Sequence, residues 1–219
     1  MTALTAGFVL VHADDSLLVL NKPSGLLSVP GRGEDKQDCL SRRVQQRYPE
    51  ALVVHRLDMA TSGLMLMARS PAIQRALGQS FEQRDIHKTY LAVVDGCLAG
   101  APSPDGWGLI DLPIAADWLR RPLRVIDAAR GKPSQTRWRV LAFDAATNST
   151  RLALEPVTGR SHQLRVHLQA LGHPILGDRL YAPEAVQAKS ARLLLHASQL
   201  QLTHPASGHR LTFESAPGF

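Results

Sequence analysis

Val53-Val54-His55-Arg56-Leu57-Asp58-Met59-Ala60-Thr61-Ser62-Gly63-Leu64-Met65-Leu66-Met67 divides into an apolar pair, a polar turn and an apolar run. From Arg56 to Gly63 the turn gathers a cation, a carboxylate, two hydroxyls and a glycine within eight residues. Two readings fit. In ordinary turn chemistry Asp58 bonds its own backbone two residues on, and Gly63 supplies φ > 0. In the sharper reading the turn presents Asp58 to a substrate, and the rest of the chain positions it.

Upstream, Leu40, Val44 and Tyr48 recur at helical spacing and predict a helix from an Asp38 N-cap to about Tyr48. Arg42, Arg43 and Arg47 fall on its other sides, as a solvated face or an RNA-facing ridge. Asn21-Lys22-Pro23-Ser24-Gly25-Leu26-Leu27-Ser28-Val29-Pro30-Gly31 holds two prolines and two glycines, which forbid a continued strand and predict an ordered loop. Residues 8–11 and 16–21 are β-rich runs with a hairpin-like break at Ala13-Asp14-Asp15, and residues 1–7 read as a loose end.

Downstream, residues 64–69 read as a buried strand. Ser70-Pro71 starts a helix with a capping hydroxyl and a proline at its first position, a core stripe of Ile73, Leu77 and Phe81, and an end near Arg84. Strands follow at 88–94, 123–126, 134–143 and 151–155, and residues 99–108 form a surface excursion. A second polar cluster, Thr158-Gly159-Arg160-Ser161-His162-Gln163-Leu164-Arg165-Val166-His167, opens a helix. Leu164, Leu168 and Leu171 share one face of that helix, His162, Arg165 and Gln169 another, and Gly172 is its C′ residue. A short helix starts at Pro183, residues 193–196 and 200–203 supply a late strand or pair, and 211–213 another. Strands dominate without regular β-α-β-α alternation. The predicted class is therefore α+β, a mixed and mostly antiparallel sheet with peripheral helices, rather than a doubly wound parallel sheet.

The 219 residues are 44% hydrophobic and 20% charged, values of a globular chain that can bury a core without staples. The expected layout is an N-terminal extension of residues 1–14 and one domain over residues 15–219. Lys and Arg outnumber Asp and Glu by 25 to 19, a net +6 that favours polyanions, nucleic acid first among them. Cys39 and Cys97 are far apart and in no C-x-x-C pair, against a disulfide framework or structural zinc and in keeping with a reducing compartment. No stretch approaches the ~18 apolar residues of a membrane span, so a cytoplasmic protein is expected.

Several chemistries lack their residues. No G-x-G-x-x-G follows a strand and no Walker loop occurs, so no nucleotide cofactor is indicated. His162 and His167 do not form H-E-x-x-H, and no G-x-S-x-G elbow is present. A two-carboxylate glycosidase would pair Asp58 with a residue such as Asp178, for which the chain offers no signal of separation. What remains is one carboxylate in an arginine-rich setting, with Arg56 beside Asp58 and Arg160 and Arg165 in the second cluster. A buried aspartate acting as nucleophile or base needs a cation to keep it ionised, and an arginine partner also fixes its orientation.

His55-Arg56-Leu57-Asp58-x-x-Thr61-Ser62-Gly63 resembles the signature of the RluA-type pseudouridine synthases. Three further matches fall in the family's order: Lys22-Pro23-x-Gly25, Lys88-x-Tyr90-x-Ala92, and Gly159-Arg160-x-His162-Gln163-Leu164-Arg165-x-His167. The likeness runs from about residue 15 to the C-terminus and is poorest over residues 1–14 and 97–108. It implies a pseudouridine synthase fold with RNA bound across a central cleft, and isomerisation of uridine to pseudouridine without cofactor or metal. By the same resemblance Asp58 is the catalytic carboxylate, attacking either the uracil ring or the ribose anomeric carbon. Tyr90 stacks on the target uracil, Arg165 pairs with Asp58, and Arg56 fills the space left by the flipped nucleotide. Leu195 is a pocket wall, and His55, Thr61, Arg160 and His162 lie toward RNA. The implied substrates are structured RNAs, namely an anticodon stem-loop of tRNA (uridine-32) and a loop uridine (746-type) of 23S ribosomal RNA. A monomer is expected. Many relatives carry an S4 RNA-binding domain, for which this chain has no room, so recognition is expected to come from the catalytic domain. A non-catalytic RNA-binding module would use the same positive surface. It would not need Asp58, Tyr90 and Arg165 together.

Overall fold

The computed structural model describes residues 4–5, 8–101 and 103–219. The first elements are β1 (Leu4–Thr5), β2 (Phe8–Ala13), β3 (Leu17–Lys22), α1 (Leu40–Gln45), β4 (Leu52–Val53), β5 (Ser62–Ala68), α2 (Pro71–Gln83) and β6 (His87–Asp95). They are followed by β7 (Gly108–Asp111), β8 (Ile114–Ala116), β9 (Arg124–Ile126), β10 (Gln135–Asp144), β11 (Ser149–Pro156) and α3 (Gln163–Ala170). The chain closes with α4 (Glu184–Gln187), β12 (Leu195–Thr203) and β13 (Arg210–Glu214). The class is α+β, with mixed but mostly antiparallel strand pairing. Among the described residues, no helix is long and apolar enough to cross a membrane.

Two compact units are distinguished. The first takes the chain up to Lys88 and returns with His196–Gly218. Its sheet runs β1-β2-β3-β5-β12, with β4 on β5 and β13 on β12. β3 and β5 are antiparallel from Leu17↔Ala68 to Lys22↔Gly63, whereas β5 and β12 run parallel. Their side chains alternate between two apolar layers. Leu18, Leu20, Met65 and Met67 face Phe8, Leu40 and Val44, while Leu17, Val19, Leu64 and Leu66 face Leu77, Ile86, Leu200 and Leu202. A strand covered on both faces needs apolar residues at every position, which explains the unbroken Leu64-Met65-Leu66-Met67 run.

The second unit spans Thr89–Leu195 with Phe219. β6, β11, β10 and β7 pair antiparallel in that order, and β8 and β9 form a separate hairpin. Ile114, Val166 and Tyr181 form a small core with Leu123 and Ile126, which seats the hairpin against α3.

Most local expectations hold. Ser70 Oγ accepts the Ile73 N–H at 3.2 Å with Pro71 at the first position of α2, and Arg84 ends that helix in the left-handed region at φ 66. Gly172 (φ 82) closes α3, its N–H reaching Gln169 O and that of His173 reaching Leu168 O, a Schellman arrangement. Of the late strand or pair expected from 193–196 and 200–203, the structure shows the single strand β12, with β13 as its partner. Two expectations, on α1 and on the N-terminal residues, are corrected. α1 is shorter than predicted, Leu40–Gln45: Cys39 is its N-cap while the Asp38 carboxylate is held by the Arg43 guanidinium at 2.6–2.7 Å, and the last turn tightens where the Arg47 and Tyr48 N–H groups both reach Val44 O. Leu4–Thr5 pairs with β2 rather than lying loose, and the other residues of 1–7 lie outside the described residues.

Candidate active site

The Asp58 turn connects β4 to β5 in the first unit, and a second loop braces it through main-chain atoms. Gly25 N donates to Met59 O at 2.8 Å, and Ser24 Oγ to Ala60 O at 2.7 Å. Ser28 Oγ donates to Leu57 O at 2.7 Å and accepts the Leu57 N–H at 3.1 Å. Lys22 locks the two loops together. It is fully buried, and its ammonium reaches Pro23 O at 2.8 Å, Leu26 O at 2.7 Å and Met59 O at 3.0 Å. A buried cation is tolerated only when its donors are satisfied, and three carbonyls meet that condition here. Within the turn, Thr61 N donates to Asp58 O at 3.1 Å. Asp58 is half-buried, Arg56 exposed and Thr61 buried.

Lys22→Met would strand three carbonyls that now accept from an ammonium. We expect it to destabilise the protein by about 3 kcal/mol or more, lowering the melting temperature by roughly 10 °C. Calorimetry checks this, and a shift of only a degree or two would show that the loops hold without the ammonium.

Gly63 has φ 113, as turn chemistry asked, but a second constraint lies beside it. A Cβ there would collide with the backbone N and O of Ala197 on the parallel neighbour β12. The adjacent Ser62 Oγ meets His196 Nδ1 at 2.8 Å.

His55 is half-buried, and its Nε2 accepts the Leu66 N–H at 2.9 Å, which places the ring proton on Nδ1. The ring packs on Phe81 with centroids 4.7 Å apart. Burial, helped by the nearby Lys88 ammonium, pushes its pKa from 6.5 down to about 3. Burial also lowers that of Lys88. The unfolded chain takes up a proton near pH 6.5 and the folded protein resists until about 3, so this contribution is intact above 6.5 and lost as pH falls between those values. Urea unfolding should show the wild type losing about 2 kcal/mol more than His55→Gln by about pH 5. Parallel pH curves for the two proteins would refute the assignment.

The other candidate residues lie in the second unit. Tyr90, half-buried on β6, stands opposite Leu154 of β11 and shares its strand face with Ala92 and Val94. Leu195 is buried at the start of β12. Arg160 is exposed, and its N–H donates to Gln163 Oε1 at 3.0 Å. Gln163 also accepts from Thr158 Oγ1 and donates to Gln135 O and Thr136 Oγ1, tying the polar loop to β10. His167 contacts Thr136 Oγ1 and Leu112 O, and burial lowers its pKa.

Arg165 is buried, 4% exposed, against a carboxylate that is 1% exposed: Asp178. Arg165 Nε donates to Asp178 Oδ2 at 2.8 Å and Nη2 to Oδ1 at 2.5 Å, a side-on pair. Asp178 Oδ1 also accepts the Leu180 and Tyr181 N–H groups at 3.0 and 3.2 Å. The Tyr181 ring lies 5.0 Å from the Arg165 guanidinium carbon. Its hydroxyl meets His162 Nδ1 at 2.6 Å and accepts the Arg124 N–H at 2.9 Å. His162, in the left-handed region at φ 58, caps α3 and turns its ring to that hydroxyl. Thus the structure gathers His162 and Arg165 on Tyr181. Asp178 and Tyr181 were not singled out from sequence as partners of Arg165. The Gly177-Asp178-Arg179-Leu180-Tyr181 turn after α3 was the available signal.

Residues 16–170 match the family of RNA pseudouridylate synthases, and the chain belongs to it as an RNA pseudouridine synthase. The chain is 50% identical over 211 residues to the dual-specificity RNA pseudouridine synthase RluA of Escherichia coli (strain K12), covering 96% of this chain and 94% of that one. It is 47% identical over 211 residues to the Yersinia pestis enzyme of the same name, covering 96% and 100%. Human RNA Pseudouridylate Synthase Domain Containing 1 superposes with a TM-score of 0.80 at 28% identity, covering 100% of this chain and 87% of that one. The human Domain Containing 4 protein superposes with a TM-score of 0.73 at 26% identity, over 95% and 88%.

Proposed function

We propose that the chain is a dual-specificity synthase acting on uridine-32 of a tRNA anticodon loop and on a loop uridine (746-type) of 23S ribosomal RNA. The observation that carries this reading is identity of 50% across 96% of the chain with an enzyme named for dual specificity. In the proposed reaction the target leaves its stack, at a cost of a few kcal/mol, and an aromatic platform with an inserted side chain offsets that cost. Tyr90 is the platform, and exposed Arg56 enters the vacated space. Asp58 is the catalytic carboxylate while the glycosidic C–N bond breaks, the base turns over and a C5–C1′ bond forms. The net change is an isomerisation with no redox step or group donor.

Arg165 supports the ionised Asp58, and Asp178 in turn holds the guanidinium in place through Nε and Nη2. Arg160, His162 and Thr61 lie toward the RNA, with His55 contributing by holding β5 in place and Leu195 as a pocket wall. We further propose that residues 15–219 act as one catalytic domain, monomeric and cytoplasmic. Pseudouridine mapping of total RNA from a deletion strain tests the substrate assignment. One tRNA site and one ribosomal site should disappear and return with the gene; loss of only one RNA class would overturn dual specificity.

A further inference from the structure

The β8–β9 hairpin ends in Asp117-Trp118-Leu119-Arg120-Arg121, a tip that combines order with exposed apolar surface. Trp118 is 70% exposed and Leu119 98%, so large apolar side chains stand in water. Yet the backbone beneath them is held. Asp117 N donates to Leu123 O at 3.1 Å, Leu123 N to Arg120 O at 2.9 Å, and Arg120 N to Asp117 Oδ1 at 3.1 Å. Asp117 Oδ2 also pairs with Arg120 Nε at 2.8 Å. The Arg121 guanidinium lies over the Trp118 ring at 3.9 Å. At the root, Arg124 N donates to the Tyr181 hydroxyl, and Leu123 and Ile126 pack with Val166 of α3. The hairpin is therefore a braced arm, rooted on the helix that carries Arg165.

A fixed turn that keeps an indole and two guanidinium groups in water matches the chemistry of RNA loops. Every unpaired base offers a π-face to an aromatic ring, and phosphates offer charge to arginine. We propose that this arm is an RNA-holding element, in which Trp118 stacks on an unpaired base of the substrate loop and Arg120 and Arg121 contact phosphate. The proposal rests on the RNA-modifying reading above and adds a contact outside the motifs that carry it. The arm acts in binding and not on the bonds that change.

The test uses the full chain and a synthetic RNA hairpin with the target uridine in its loop. Trp118→Ala should raise KM for the hairpin about tenfold, what one stacked base is worth, with the loss appearing in KM rather than in kcat at saturating RNA. Trp118→Phe, which keeps a ring, should recover most of it. Arg121→Gln should lower the slope of log affinity against log salt by about one. Tryptophan fluorescence should be quenched by the hairpin in the wild type, and by less in Trp118→Ala. Unchanged KM and quenching in Trp118→Ala overturn the proposal. So does an unchanged KM with altered sedimentation, which would assign the tip to contact with a second copy. If the wild type makes no pseudouridine in any RNA tested, the reading beneath the proposal fails first.

Discussion

Asp58→Asn is expected to abolish turnover, by on the order of 10⁴-fold or more, while folding and RNA binding persist. The size of the effect follows from the role, since removal of a group that makes or breaks bonds costs far more than removal of a binding contact. The specificity of the test follows from the structure. The bracing hydrogen bonds from Lys22, Ser24, Gly25 and Ser28 reach main-chain atoms of the turn: Leu57 N and O, Met59 O and Ala60 O. An amide of the same shape at residue 58 leaves all of them in place. The melting temperature should therefore stay within roughly 2 °C of wild type, equivalent to well under 1 kcal/mol. Pseudouridine formation in a synthetic anticodon hairpin, measured with RNA in excess, reads the rate. Turnover within tenfold of wild type would remove Asp58 from the reaction.

Arg165→Met should damage both stability and catalysis, and the two effects can be separated. The substitution leaves the Asp178 carboxylate buried without its guanidinium, a cost of about 3–5 kcal/mol. Losing the cation proposed to support Asp58 should also lower kcat by on the order of 10²–10³-fold. In the double variant Arg165→Met, Asp178→Asn the buried charge is gone. The amide oxygen can still accept the Leu180 and Tyr181 N–H groups that now reach Asp178 Oδ1. Much of the stability should then return while turnover does not. A double variant that regained near-normal turnover would reduce Arg165 to a structural residue.

Local features were legible in the chain because they depend on neighbours in sequence. The capping hydroxyl of Ser70, the proline after it, the left-handed Gly172 and the β-rich runs of β2, β3 and β5 are of this kind. The Asp38 cap failed on the same ground of locality. Its carboxylate had a competing partner at residue 43, and the two cannot be ranked by pattern. Gly63 shows the limit from another side. Turn chemistry accounts for its positive φ, but the approach of Ala197 comes from a strand more than a hundred residues away and leaves no trace near residue 63.

The site divides in the same way. Sequence alone determined the family and singled out the candidate residues: the His55-to-Gly63 turn, Tyr90, and the cluster from Arg160 to Arg165. It also determined that the Asp58 stretch leads into a strand covered on both sides. Only the tertiary structure decided that Lys22 is a buried clamp and not a surface charge, that His55 is a neutral acceptor for β5, and that Arg165 is held by Asp178. The physical reason is burial. Whether a polar group is satisfied, and hence which charge state and orientation it keeps, depends on carbonyls and carboxylates brought from distant segments once the core has closed around them.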